Sequence, residues 1–168
     1  MIRLAMNDLE KYTCIRYKVR TIEANYIKIT SGRGCHSRLG KIGGKQEVSL
    51  QKGGCFSRGT IMHELIHALG YDHMQNHIDR DKFVKINWAN INTAERHNFE
   101  RVDGRKFSNF GTTYDYLSVM HYNAKAFSKN GQPTIVPIDE RYRDKIGQRK
   151  GLSAGDAERI NNMYECQF

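Results

Sequence analysis

The residues best suited to chemistry lie in one eleven-residue stretch, His63-Glu64-Leu65-Ile66-His67-Ala68-Leu69-Gly70-Tyr71-Asp72-His73. On a helix, positions four apart share a face, so His63 and His67 can aim two imidazole nitrogens at one metal ion. Glu64 is rotated off that face. Its carboxylate is poorly placed to join the same ligand set but well placed to reach a metal-bound water, which is the position of a general base. Gly70 can end the helix in a left-handed cap, and His73 can then return from non-helical chain as a third ligand. Three protein nitrogens and one water make an open, catalytic zinc site, where a structural site would be closed by four protein ligands. An ordinary amphipathic helix would account for Ile61, Met62, Leu65, Ile66 and Leu69. It would not account for two histidines, a glycine and a third histidine at these spacings.

A second segment points the same way. Ser118-Val119-Met120-His121-Tyr122 follows the tyrosine-rich run Tyr114-Asp115-Tyr116-Leu117. An extended zinc motif followed by a methionine-containing turn resembles the metzincin clan of zinc endopeptidases. The Ser-x-Met-His-Tyr wording resembles the astacin family within it. Asp79-Arg80-Asp81-Lys82-Phe83-Val84 and Ile146-Gly147-Gln148-Arg149 before Leu152-Ser153 are similar to astacin segments too, so the resemblance runs from residue 4 to residue 166. It implies one zinc ion per chain held by His63, His67 and His73, with Tyr122 as a further metal ligand that swings away to stabilise the transition state. Met120 would floor the metal site in the Met-turn. Glu64 would take a proton from the zinc-bound water and pass it to the leaving amine. Substrate would lie extended along the segment 35–40. Arg38 and Arg149 are the candidate substrate-binding side chains, Arg149 falling in the loop that shapes the pocket just past the scissile bond. Two departures stand out. Met74 occupies the position where the family usually places a glutamate, one associated with anchoring the mature N-terminus. The sequence also begins inside what resembles the family's first long helix, so a propeptide and a preceding segment are expected to be missing from it. Another metzincin-type protease and a catalytically silent protein-binding relative are the competing readings. Tyr122 favours astacins over the former, and the complete set of ligands and base favours an enzyme over the latter.

The composition suits a folded globular unit, with 39% hydrophobic residues, fifteen glycines and two prolines. No apolar run is long enough to span a membrane, and no secretory signal or Asn-x-Ser/Thr acceptor site is visible. Lysine and arginine outnumber aspartate and glutamate by 27 to 18, a net charge of +9. That sign attracts acidic partners. The basic residues are scattered and no nucleic-acid module is visible, so acidic protein or peptide substrates are expected and nucleic acid is not. Four cysteines, Cys14, Cys35, Cys55 and Cys166, allow three pairings. The resemblance implies Cys35–Cys55 and Cys14–Cys166, and with them an extracellular, secreted protein.

These groups need a frame. Ile2, Ala5, Met6 and Leu9 recur at helical spacing. Alternation at Ile15, Tyr17 and Val19, at Ile27 and Ile29, and at Val48 and Leu50 predicts strands separated by glycine-rich turns. The zinc helix is expected over about 58–70, a short helix within 92–102, a strand at 134–136, and a closing helix capped by Ser153 and Asp156. The expected fold class is α+β, a metzincin-type zinc protease in a single domain of residues 1–168. Its N-terminal lobe (about 1–72) would hold a mixed β-sheet and two helices, including the zinc helix. An irregular C-terminal lobe (about 73–168) would carry the Met-turn and the C-terminal helix.

Overall fold

Ser57 opens the helix that carries the metal motif. Its hydroxyl accepts the Thr60 N–H at 3.1 Å, satisfying one of the donors a helix start leaves free. In the computed structural model, which describes residues 1–104 and 108–167, the helices are α1 (Ile2–Tyr12), α2 (Arg58–Leu69) and α3 (Ala154–Met163). Five strands accompany them: β1 (Tyr26–Thr30), β2 (Cys35–Ser37), β3 (Lys45–Leu50), β4 (Val84–Ile86) and β5 (Ile135–Pro137). Gly70 ends α2 with φ 112°, and its N–H reaches the His67 carbonyl at 2.9 Å. A side chain there would be strained, which is why the turn toward His73 is built on glycine.

The first sheet is mixed, with strand order β1-β3-β2. β1 runs parallel to β3, pairing Tyr26 with Lys45 through Thr30 with Ser49, and β2 runs antiparallel to it, pairing Cys35 with Leu50. β2 is therefore an edge strand, and α2 packs behind it. Val48 and Leu50 of β3, Ala5 and Leu9 of α1, and Ile61, Met62, Leu65 and Ile66 of α2 form one apolar cluster with Val119, Met120 and Ile160. A second cluster gathers Met74, Val84, Ile86, Ile91, Phe99, Tyr114, Ile135 and Ile146 around the β4–β5 pair. Among the described residues, no helix is long and apolar enough to cross a membrane. Disulfides join Cys14 to Cys166, 152 positions apart in sequence, and Cys35 to Cys55.

Two elements differ from expectation. Ile15, Tyr17 and Val19 alternate but form no strand. Val19 is 89% exposed, and among the described residues no neighbouring edge pairs with this segment. Side chains hold it instead: the Glu10 carboxylate accepts the Tyr17 N–H at 2.8 Å, and Arg16 Nη1 donates to the Thr13 carbonyl at 2.8 Å. The helix expected within 92–102 is a run of 3₁₀ turns over Thr93–Phe99, started by Asn92, whose side-chain oxygen accepts the Ala94 N–H. α3 begins with the expected capping box between Ser153 and Asp156.

Candidate metal centre and active site

α2 presents His63 and His67 on one face, and the chain beyond Gly70 brings His73 against them. The three Nε2 atoms form a nearly equilateral triangle with sides of 3.1, 3.2 and 3.2 Å. Nitrogens bound at about 2.0–2.1 Å to a tetrahedral zinc stand about 3.3 Å apart, so the triangle has the dimensions of one face of that tetrahedron. The outer nitrogens fix the tautomers. His63 Nδ1 donates to the Val119 carbonyl at 2.8 Å and His67 Nδ1 to the Tyr71 carbonyl at 2.7 Å, leaving both Nε2 lone pairs free for metal. His73 has no carbonyl in that role among the described residues. Asp72 lies 3.5 Å from its Nδ1 and accepts the His73 backbone N–H at 2.6 Å. Burial, the largest influence on each, lowers His63 to a pKa of about 2 and His67 to about 4, so both imidazoles are neutral and ready to bind metal at pH 7.

Glu64 is 5% exposed and its Oε2 has no partner among the described residues. Burial raises its pKa to about 7, and the nearby Arg149 charge opposes the rise. A carboxylate off the ligand face, buried beside the triad and poised near neutrality, is suited to proton transfer. Tyr122 lies against His73 with ring centroids 4.3 Å apart and planes tilted by 49°, and it lines the same cleft as Glu64. Its phenol is pushed up to about 12, chiefly by burial, which keeps the hydroxyl a donor.

The turn bearing these residues is tied down from several sides. Asp156 accepts the Ser118 hydroxyl at 2.5 Å and the Val119 N–H at 2.8 Å, linking α3 to the turn whose Val119 carbonyl holds His63. Met120, 1% exposed, packs in the first apolar cluster, and its carbonyl accepts the Met74 N–H. His121 is wholly buried. Its Nδ1 donates to the Tyr122 carbonyl at 2.6 Å, which leaves Nε2 to accept the Tyr114 hydroxyl at 2.6 Å.

The cleft has a volume of about 470 Å³ and is walled by His36, Ser37 and Leu39 on the β2 side and by the triad, Glu64 and Tyr122 on the other. Arg149 does not line this cleft. Its Nη1 donates to the His121 carbonyl at 3.1 Å, and its charge acts on Glu64 and Tyr122. The loop carrying it rests on bare backbone. A Cβ on Gly59 would come 2.0 Å from the Arg149 carbonyl oxygen, and one on Gly147 would come 2.4 Å from Asn123 Cα. Arg38 is exposed just past β2, and its neighbours Ser37 and Leu39 form the wall. The structure thus brings His63, His67, His73, Glu64 and Tyr122 together around the cleft, leaves Arg149 outside its lining but within electrostatic reach of Glu64 and Tyr122, and leaves Arg38 at the rim. Asp72, Tyr114 and His121 were not singled out by sequence reasoning. Only Asp72, a carboxylate directly before a ligand histidine, offered a local signal.

A zinc-sized triangle of neutral imidazoles with a carboxylate at its side, in an open cleft between a sheet edge and an irregular segment, defines a zinc peptidase domain. The family model described as Astacin, a peptidase family, matches residues 1–165. Zinc metalloproteinase nas-13 of Caenorhabditis elegans is 45% identical over 163 residues, covering 96% of this chain and 36% of that protein. High choriolytic enzyme 1 of Oryzias latipes is 46% identical over 164 residues, covering 97% of this chain and 59% of that protein. Its solved structure, described as a hatching enzyme zinc-protease, superposes with a TM-score of 0.93 over 99% of this chain and 82% of that one. The chain belongs to the astacin family of metallopeptidases, and His63, His67 and His73 are its zinc-binding triad. Myroilysin, 20% identical with a TM-score of 0.63, shares the fold. The chain spans 36% of nas-13 and 59% of the choriolytic enzyme, about a third and somewhat over half of their lengths.

Proposed function

We propose that this chain is the catalytic domain of a zinc-dependent endopeptidase acting on proteins outside the cell. The observation that carries the reading is the equilateral triangle of Nε2 atoms with the unpartnered Glu64 carboxylate beside it. A zinc ion held by His63, His67 and His73 would supply an acidified water and would polarise a scissile carbonyl. Glu64 takes the proton as the water oxygen attacks the carbonyl carbon, then delivers it to the nitrogen when the C–N bond breaks. Tyr122 donates a hydrogen bond to the oxygen on which negative charge develops. Substrate lies antiparallel to the free edge of β2, adding a strand to the sheet, with the cleft between lobes of about 1–72 and 73–168. The two disulfides support an oxidising compartment.

Arg149 supports a finer reading. Its guanidinium lies close enough to the site to influence Glu64 and Tyr122, so an acidic side chain just past the cleaved bond would gain a charge partner there. Hydrolysis of a fluorogenic peptide, abolished by a chelator and restored by added zinc, tests the central proposal. A protein that binds zinc stoichiometrically yet cleaves no peptide or protein would refute it.

A further inference from the structure

The Tyr122 ring stands among three others. Measured between centroids, His73 lies 4.3 Å from it, Phe127 5.6 Å and Phe99 5.8 Å. The three are held in different ways. His73 belongs to the metal triad, and Phe99 is wholly buried in the second apolar cluster. Phe127 is the exposed member of the set, with 41% of its surface open to water. Its ring also meets Phe99 edge-on at 6.1 Å.

Phe127 has a backbone that few residues of its kind adopt. Its φ is 52°, in the left-handed region where a side chain crowds the following carbonyl. The chain on either side enforces this. The Ala126 carbonyl accepts the Thr134 hydroxyl at 2.7 Å, the Phe127 carbonyl accepts the Asn92 N–H at 3.0 Å, and Ser128 forms an antiparallel bridge with Ile91. Glycine or asparagine would take that conformation more readily. Burial offsets little of the strain, because so much of the ring faces water. A strained residue, fixed by its surroundings and packed on a group of the reaction site, points to a part in placing that group.

We propose that Phe127 is a positioning residue: it braces the Tyr122 ring against His73 and so fixes where the phenol hydroxyl stands when it donates to the developing oxyanion. The inference rests on the reading of Tyr122 as that donor. Its effect falls on turnover, because a misplacement of about 1 Å can lower a rate by on the order of 100-fold while leaving binding intact.

The test uses Phe127→Gly, which removes the ring at a φ that glycine adopts freely, so the turn is kept. The variant binds one zinc ion, its KM for a fluorogenic peptide changes by less than about twofold, and its kcat falls by about 10- to 100-fold. Phe127→Tyr, which restores the ring, restores kcat. In a Tyr122→Phe background Phe127→Gly causes no further loss, because the hydroxyl it places is gone. A second readout needs neither zinc nor turnover. In chelated protein labelled with fluorotyrosine, the Tyr122 fluorine resonance, identified by its loss in Tyr122→Phe, moves in Phe127→Gly, while those of Tyr12 and Tyr26 on α1 and β1 do not. An unchanged kcat, an equal loss in both backgrounds, a rise in KM as the main effect, or an unmoved Tyr122 resonance would each overturn the proposal. Should Phe127→Gly not fold, Phe127→Asn takes its place under the same criteria, since asparagine also tolerates this backbone. Failure of the underlying reading shows separately, as a Tyr122→Phe enzyme with full kcat, and the role of Phe127 falls with it.

Discussion

Replacing Glu64 with glutamine separates its chemistry from its cost to the fold. In zinc-free protein, burial shifts the Glu64 pKa from 4.5 to about 7. At about 1.36 kcal/mol per pH unit, that displacement corresponds to about 3 kcal/mol. Well below pH 4.5 the carboxyl is protonated in both folded and unfolded chains and has no effect on stability. Between pH 4.5 and 7 the unfolded chain releases the proton while the folded chain keeps it, so stability falls as pH rises. Above pH 7 both are ionised and the full penalty stands. Glutamine has the same shape and no such penalty. In chelator, Glu64→Gln is therefore more stable than wild type by about 3 kcal/mol at pH 8 and by less than about 1 kcal/mol at pH 5. The depressed histidines act in the opposite sense, but equally in both proteins, so they cancel in the comparison. With zinc restored, the variant keeps one metal ion and loses about 10²- to 10⁴-fold in turnover. The measurements are urea unfolding at the two pH values, metal analysis and peptide hydrolysis. Equal stabilities at pH 8, or zinc lost together with activity, would refute the assignment of Glu64 as a buried base that is not a ligand.

Tyr122→Phe retains zinc and lowers kcat by about 10- to 10³-fold, the range for loss of one oxyanion donor; an unchanged kcat leaves Tyr122 as packing. Asp72→Asn weakens zinc binding by about 10- to 100-fold in chelator competition, because the Asp72 carboxylate lies 3.5 Å from His73 Nδ1 and orients the ring; equal affinity would remove it from that role. Arg149→Ala reduces cleavage of peptides with Asp or Glu after the scissile bond relative to neutral ones in library profiling, and an acidic preference that survives the change counts against the pocket. Cys14→Ser with Cys166→Ser lowers unfolding stability by about 2–5 kcal/mol, since the bridge closes almost the whole chain; chemical denaturation with no shift in midpoint would contradict this.

What could be read from sequence was what local geometry dictates. The spacing of His63 and His67, the Gly70 cap and the Ser153–Asp156 capping box each depend on a few neighbouring residues, and the structure contains all three. The strand expected at Ile15–Val19 failed because alternation alone does not supply a partner edge, and the Arg16 and Glu10 side chains bond the Ile15 carbonyl and the Tyr17 N–H instead. The supports of the site were also out of reach. Val119 holds His63 across 56 positions and Asp156 holds Ser118 across 38, pairings that only the folded chain brings together. Met74 was visible as a departure from its family. That it sits against a buried arginine 85 positions away was not.

The contact between Gly59 and the Arg149 carbonyl bears on how loops could be exchanged among relatives of this domain. The carbonyl occupies the space a side chain at 59 would need, so the segment around Arg149 is seated on the first turn of the zinc helix. Gly147 seats the same segment against Asn123, one residue past Tyr122. A graft of residues 146–151 from another protease would follow this path only if Gly59 were kept in α2 and the borrowed loop carried a glycine at 147. Without them the borrowed loop would be lifted off the helix, and the arginine would leave with it while the three histidines stayed in place. Such a chimaera would hold zinc and cleave, but with a selectivity belonging to neither parent.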